Sequence, residues 1–312
     1  MVGAIDIGGT KIAVGIIDDS GRVLARTQEP TNPEGGYRDA LRRTEKMLRN
    51  VMQEAGTKII GIGIGSTGPI DPFTGSIGNV NFFPAWEGEN PVKDLADIFH
   101  VSVAMENDAD AAALAEAGWG AGKKKKRLIY VTVGTGIGGG VILDGELYRG
   151  VEGAHPELGH HLIDPSGPEC ACGFRGCWES LAAGPAMVNF VTDIAPKDYP
   201  HLSGLTARRI CELAREADEL ALKAVARESR YLGLGLANLV TLFAPDAIVL
   251  GGSVMNSATL FLEQIRNTIT RCCTLVPFAK AEILLASLGT DTNLIGAGRV
   301  WYHRFTSGGR NA

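Results

Sequence analysis

The sequence predicts an α/β protein of two similar lobes, and three observations carry that prediction. A strand, a glycine-rich turn, a second strand, an Asp-containing turn and a third strand follow one another from residue 2, and the same order returns at 128–148. Between and after the two copies, short apolar runs alternate with stretches of helical periodicity, as in α/β folds. The chain has 312 residues, about twice the usual length of one compact domain.

Each element has a local reason. Residues 2–7 (VGAIDI) are a continuous apolar run closed by Gly8-Gly9. After Thr10 and Lys11 come IAVGII, a turn at Asp18-Asp19-Ser20-Gly21, and the strand RVLART. This opening is a set of hairpins, not the strand–turn–helix of a dinucleotide fold. Over 37–55, Ala40, Leu41, Met47, Leu48, Val51 and Met52 share one helical face, with Arg, Lys and Glu outside. IIGIGIGS (59–66) is a further strand running into a glycine-bearing turn, and 108–122 is Ala-rich and helical until its glycines. The lysines 123–126 that follow read as a solvated surface loop. LIYVTVGTGIGGGVILDGELY (128–148) repeats the opening pattern, so two similar halves are expected to face a cleft. From about 205 onward the chain reads as mostly helical, interrupted by buried strands in DAIVLGGSV (246–254) and AEILLASLG (281–289). The tail TSGGRNA is expected to fray.

Composition excludes several classes. The balance of 30 Lys+Arg against 35 Asp+Glu gives a net charge of −5, the wrong sign for a protein whose main partner is nucleic acid. No apolar run approaches the roughly 18 residues that span a bilayer, and the N-terminus lacks the features of a signal peptide. A cytoplasmic protein with neither a membrane nor a nucleic-acid partner is therefore expected. Of six cysteines, three fall within eight residues (Cys170, Cys172, Cys177), while Cys211, Cys272 and Cys273 are scattered. A tight cluster in a long chain reads as metal binding rather than as a disulfide framework.

The chemistry concentrates in few places. Asp6, Gly8, Gly9, Thr10 and Lys11 put backbone amides, a hydroxyl and an ammonium into one turn, the makings of a phosphate cradle. Asp6 would repel phosphate unless Mg²⁺ lay between them. Gly134 to Gly140, with Thr135 and Gly136 at its head, is a second such turn inside a hairpin. Gly251 and Gly252 close a buried strand and are read as opening a helix, where a nucleoside could approach closely. His160 with Cys170, Cys172 and Cys177 offers three thiolates and one imidazole, a complete tetrahedral set for structural Zn²⁺. His155 and His161 lie nearby, and His161 is read as a bystander because a fifth ligand would overfill the tetrahedron. Glu157 and Glu179 flank the loop, available to a polyol. Asp108, at a strand-to-helix junction, is either a helix N-cap or a general base.

In order along the chain, D-I-G-G-T-K (6–11), E-N-D-A (106–109), G-T-G-I-G-G-G (134–140), E-L-G-H (157–160) and C-A-C-G-F-R-G-C-W-E (170–179) resemble the ROK family (repressors, open reading frames and sugar kinases), most closely its bacterial glucokinases. The resemblance covers essentially the whole chain. It implies an α/β, two-lobed, actin-like ATPase fold with a structural zinc loop, closing over a sugar and a nucleotide, as a homodimer or tetramer. The lobes are expected at 1–118 and 119–312, with the last helix packing back on the first lobe. The resemblance makes Asp108 the catalytic base and Asn81, Asn107, Glu157, His160 and Glu179 sugar-binding positions, His160 doubling as a zinc ligand. Asn81 lies in V-N-F-F-P-A-W, which departs from the family's P-N-L-x-G-W at Val80 and in the spacing to Trp86. ATP phosphates are expected at Gly8, Gly9, Thr10, Lys11, Thr135 and Gly136, Mg²⁺ at Asp6, and the nucleoside at Gly251 and Gly252. Glucose is the expected hexose, with fructose, mannose and N-acetylmannosamine behind it; His155-Pro156-Glu157 and Gly184-Pro185-Ala186 are similar to fructokinase relatives. A sugar-responsive repressor of the same family is the rival reading. It would carry a helix-turn-helix region ahead of the first glycine turn, and Asp6 lies five residues from Met1.

Overall fold

The computed structural model describes residues 1–276 and 278–306. The described chain forms two compact units: residues 1–126, 140–156 and 286–306 make the first, and residues 127–139 and 157–285 the second. The tail beyond Thr306, expected to fray, lies outside the described residues.

The first unit opens with β1 (Val2–Ile7), β2 (Lys11–Ile17) and β3 (Val23–Pro30), followed by α1 (Gly36–Glu54), β4 (Gly61–Ser66), α2 (Pro91–Phe99), β5 (Ser102–Asn107) and α3 (Asp108–Gly118). The sheet order is β3-β2-β1-β4-β5. The two hairpin pairs are antiparallel and β1–β4 and β4–β5 are parallel. Continuous apolar runs became the central strands: every residue of β1 and β4 is buried, as for strands covered on both faces. Between β2 and β3, the Asp18 carboxylate accepts from the Ser20 and Arg22 amides at 3.0 and 2.9 Å, which closes the turn at Asp18-Asp19-Ser20-Gly21. On α1, Ala40, Met47, Leu48 and Val51 are buried against the sheet, while Leu41 and Met52 are only partly covered.

The second sheet is built from β6 (Leu128–Val133), β7 (Ile137–Leu143) and β8 (Glu146–Leu147), joined after α4 (Trp178–Ala182), α5 (Gly184–Ile194), α6 (Ala207–Arg215) and α7 (Glu219–Phe243) by β9 (Ala247–Gly251), and after α8 (Leu262–Cys272) by β10 (Glu282–Leu285). Its order, β8-β7-β6-β9-β10, is that of the first sheet strand for strand, so the repeated hairpin belongs to a repeated topology. The copies are unequal: β3 has eight residues and β8 two. The apolar run 281–289 yields a strand only over Glu282–Leu285. The expected helix after Gly251-Gly252 is a distorted 3₁₀ run over Val254–Leu260, broken at Ser257.

The final helix, α9 (Thr292–Phe305), returns to the first sheet. The G-I-G-I-G alternation of β4 is a consequence. Ile62 and Ile64 enter the core beside α1, whereas a Cβ on Gly61 would lie 1.9 Å from Trp301 Nε1 and one on Gly63 1.8 Å from the Ala297 carbonyl oxygen. The glycines let α9 lie directly on the strand. Among the described residues no helix is long and apolar enough to cross a membrane.

Candidate active site

In the first unit, the sheet register lines up the C-terminal ends of three parallel strands. Asp6 is level with Gly65, Gly65 with Glu106, and Ser66 with Asn107, so the loops that follow carry Gly8-Gly9, Thr67 and Asp108 along one edge. Such edges are where open α/β sheets collect ligands. The first turn is closed by the Gly8 N–H donating to the Lys11 carbonyl at 3.0 Å, and Thr31 ties it down by donating its hydroxyl to the Gly8 carbonyl at 2.7 Å. Thr10 and Lys11 are exposed. A Cβ at Gly9 would lie 2.7 Å from the exposed Phe82 ring, so a side chain there would have to displace that ring. Asn81 is exposed on the loop held by buried Val80, Phe83 and Trp86.

Asn107, not Asp108, caps α3: its side chain accepts from the Ala109 and Asp110 amides at 2.8 and 3.4 Å. Asp108 is the first helical residue. Its Oδ2 accepts from the Thr67 hydroxyl at 3.2 Å and its Oδ1 from the Ala109 amide at 2.8 Å. Burial lifts the Asp108 carboxyl above its ordinary range, with nearby Asp110 adding to the rise, while hydrogen bonds from Ala109 and Thr67 and the charge of His155 oppose it. Asp6 is pushed up to about 7, by burial first and by repulsion from Asp108 second, with Lys11 opposing. A divalent cation would relieve that repulsion, so the pair fits Mg²⁺ in its charge.

Two features behind Asp108 were not read from the sequence. Glu106, 2% exposed, accepts from Arg149 through both of its oxygens and from Arg304 at 3.1 Å. His155, expected near the metal loop, instead lies against Asp110, Nδ1 to Oδ2 2.8 Å. Thr67 also had no assigned role, although its place in the turn after β4 put it within reach of Asp108.

In the second unit, the Gly134–Gly136 turn is closed by the Gly134 amide donating to the Gly136 carbonyl at 2.9 Å, leaving Thr135 exposed. Glu179 reaches this turn, accepting from the Ile137 amide at 2.8 Å. Glu157 is exposed, just ahead of the short 3₁₀ turn Leu158–His160. Gly252 has φ +89°, and a Cβ there would strike the Val133 backbone at 2.4 Å, so only glycine fits.

The ligand atoms of His160, Cys170, Cys172 and Cys177 all lie within 4.8 Å of one another. Cys170 Sγ is 3.5 Å from His160 Nδ1, and Cys172 Sγ is 3.5 Å from Cys177 Sγ. Corners of a tetrahedron around an ion at about 2.0–2.3 Å stand roughly that far apart, so the four donors fit Zn²⁺ in number, type and spacing. Burial and the adjacent thiols push Cys177 up to about 12, whereas the Phe174 amide brings Cys172 down to about 7. His161 turns away, Nδ1 2.6 Å from the Leu158 carbonyl, and packs on Trp178.

Two sheets of one topology, each opened by a glycine turn, with paired acids in one unit and a three-thiol, one-imidazole loop in the other, define the class: a duplicated α/β protein with the features of a phosphate-handling site. The chain belongs to the ROK family, whose family model matches residues 2–304. A glucokinase of Streptomyces coelicolor is 34% identical, over 94% of this chain and 95% of that protein. An N-acetylmannosamine kinase of Citrobacter koseri is also 34% identical, over 86% of this chain and 88% of that protein. Among solved structures, a ROK family glucokinase from Streptomyces griseus in complex with glucose and AMPPNP superposes with a TM-score of 0.79 at 32% identity, covering 95% of this chain and 97% of that one.

Proposed function

We propose that this protein is an ATP-dependent sugar kinase that phosphorylates glucose at the 6-hydroxyl, with Asp108 as general base. The observation that carries the proposal is Asp108 itself: freed from capping by Asn107, steadied by Thr67, and raised in pKa by burial beside a glycine turn and a second acid. An ordinary aspartate is a feeble base near neutrality, and a rise toward working pH makes proton acceptance more favourable. The complex of glucose and AMPPNP in the Streptomyces griseus relative supports the choice of both substrates.

In this reading Asn81, Asn107, Glu157, His160 and Glu179 bind the sugar hydroxyls. Asp108 orients the 6-hydroxyl and takes its proton as that oxygen attacks the γ-phosphorus and ADP leaves. The Gly8-Gly9 turn, the Gly136 amide and the side chains of Thr10, Lys11 and Thr135 meet the phosphates, and Gly251 and Gly252 leave room for the nucleoside. Asp6 would hold Mg²⁺, whose charge would offset that of the phosphates. His160, Cys170, Cys172 and Cys177 would hold Zn²⁺ with all four of its positions filled, so that it would serve to hold the loop.

The test is a coupled assay of ADP release with ATP and Mg²⁺ across glucose, mannose, fructose, N-acetylglucosamine and N-acetylmannosamine. Turnover highest on glucose is expected. Turnover highest on N-acetylmannosamine, the substrate named for the Citrobacter koseri relative, would keep the mechanism and replace the sugar. Silence on all five would overturn the kinase reading for these hexoses.

A further inference from the structure

Both arms of the Cys–His loop touch one residue, Ile137, which ends the second glycine turn. From one arm Glu179, two residues beyond Cys177, accepts the Ile137 N–H at 2.8 Å. On the other, Gly159, adjacent to His160, lies so close that a Cβ there would be 2.0 Å from the Ile137 carbonyl oxygen. The same carboxylate fills the space beside Gly136, where a Cβ would stand 2.3 Å from Glu179 Oε2. A side chain at that position would displace the Glu179 carboxylate from its place beside the turn. The far end of the turn is tied to the start of α5, where the Gly184 amide donates to the Gly134 carbonyl at 2.8 Å. All these residues lie in the second unit.

We propose that Glu179 is a positioning residue coupling sugar to nucleotide: Oε2 fixes the Ile137 amide, and with it the phosphate-facing turn, while Oε1 is left for a sugar hydroxyl. The proposal rests on the sugar kinase reading above. A hydroxyl donating to Oε1 restricts the Glu179 side chain, and a restricted Glu179 holds the turn in one arrangement before nucleotide arrives. The ordering is then supplied by the first ligand and not charged to the second, which makes their binding cooperative. Linkage requires that the nucleotide tighten sugar by the same factor.

The experiment is calorimetric titration of the full-length protein, with its zinc content checked, using AMPPNP and Mg²⁺ with and without saturating glucose. For the unmodified protein, glucose should tighten AMPPNP by about fivefold or more. Glu179→Ala should weaken AMPPNP about tenfold even without sugar, as expected for loss of a charge-assisted hydrogen bond, and should abolish the effect of glucose. Glu179→Gln keeps a carbonyl oxygen to accept the Ile137 N–H, so its sugar-free affinity should return to within about twofold of the unmodified protein. Equal sugar-free affinity for the unmodified and Ala proteins would overturn the proposal, because a residue that only touches sugar cannot move it. If the Ala variant does not fold, hydrogen exchange on the unmodified protein decides. Glucose alone should slow exchange at Ile137, and unchanged exchange overturns the coupling. An unmodified protein that binds no AMPPNP fails at the kinase reading itself, a result distinct from nucleotide binding that ignores Glu179.

Discussion

Asp108 stands one position inside α3, and that offset separates two tasks its residue type can perform. Asn107 supplies the cap, so the Asp108 carboxylate is left to meet Thr67 and to act on Asp6. The sequence left cap and base as equal possibilities, because both residues at such a junction have side chains that suit capping. Asp108→Asn should cut kcat by about 10²–10⁴ with KM for glucose changed little, as removal of a general base does; near-normal turnover in the coupled assay would remove Asp108 from the mechanism. Asp6 gives a prediction of opposite character. Its folded carboxyl sits near 7 against an ordinary value of 3.8, so the folded state keeps a proton that the unfolded chain releases. The associated stability is complete below about pH 4 and is lost as pH rises through 7. In Mg²⁺-free buffer the unmodified protein should therefore lose up to ~4 kcal/mol of stability as pH rises from about 4 to 7, and Asp6→Asn should flatten that slope. Thermal melts across this range measure it, and parallel slopes would show that the Asp6 pKa is not raised.

The loop from Glu157 to Glu179 was the most legible element chemically and the least legible geometrically. Three cysteines and a histidine announced a metal site, but nothing in their spacing showed that the loop's ends meet Ile137, some twenty to forty residues back along the chain. Its folding depends on Gly176, at φ +72°, where a Cβ would lie 1.6 Å from the Asp164 carbonyl oxygen. Gly176→Ala should destabilise the second unit by about 2 kcal/mol or more through forbidden backbone and direct clash, read as a lower denaturation midpoint. Removing the metal with a strong chelator should open the loop to proteolysis between residues 157 and 180 and weaken AMPPNP binding through Glu179. An unchanged digestion pattern would argue that hydrogen bonds alone hold the loop. Helix boundaries followed the sequence well on α1, where one apolar face is long and regular. They failed after Gly251-Gly252, because a 3₁₀ run and an α-helix share the same short apolar pattern.

Across the whole chain, the first unit is assembled from three separated segments. Helix α9 comes from nearly 200 residues beyond β5, yet Trp301 donates its indole N–H to Ser102 at 2.8 Å and rests on Gly61. Trp301→Ala should cost about 3–5 kcal/mol by emptying that contact, and a denaturation midpoint shifted by less than a third of this would mean α9 contributes little to the unit. By itself the sequence determined the strands that are apolar throughout, the duplicated hairpin, the two glycine turns and the Cys3His set that fits a metal. Those are local properties, fixed by hydrophobic period, backbone freedom and ligand chemistry within a few residues. Tertiary structure alone decided that Asn107 caps in place of Asp108, that His155 answers Asp110 and not the metal loop, that Arg149 and Arg304 hold Glu106, and that Glu179 holds the second turn. Each of these pairs a polar group with a partner that packing supplies, the nearest two residues along the chain and the farthest 198 positions away. The need for a partner is written in the residue type; which partner meets it depends on how the sheets and helices close.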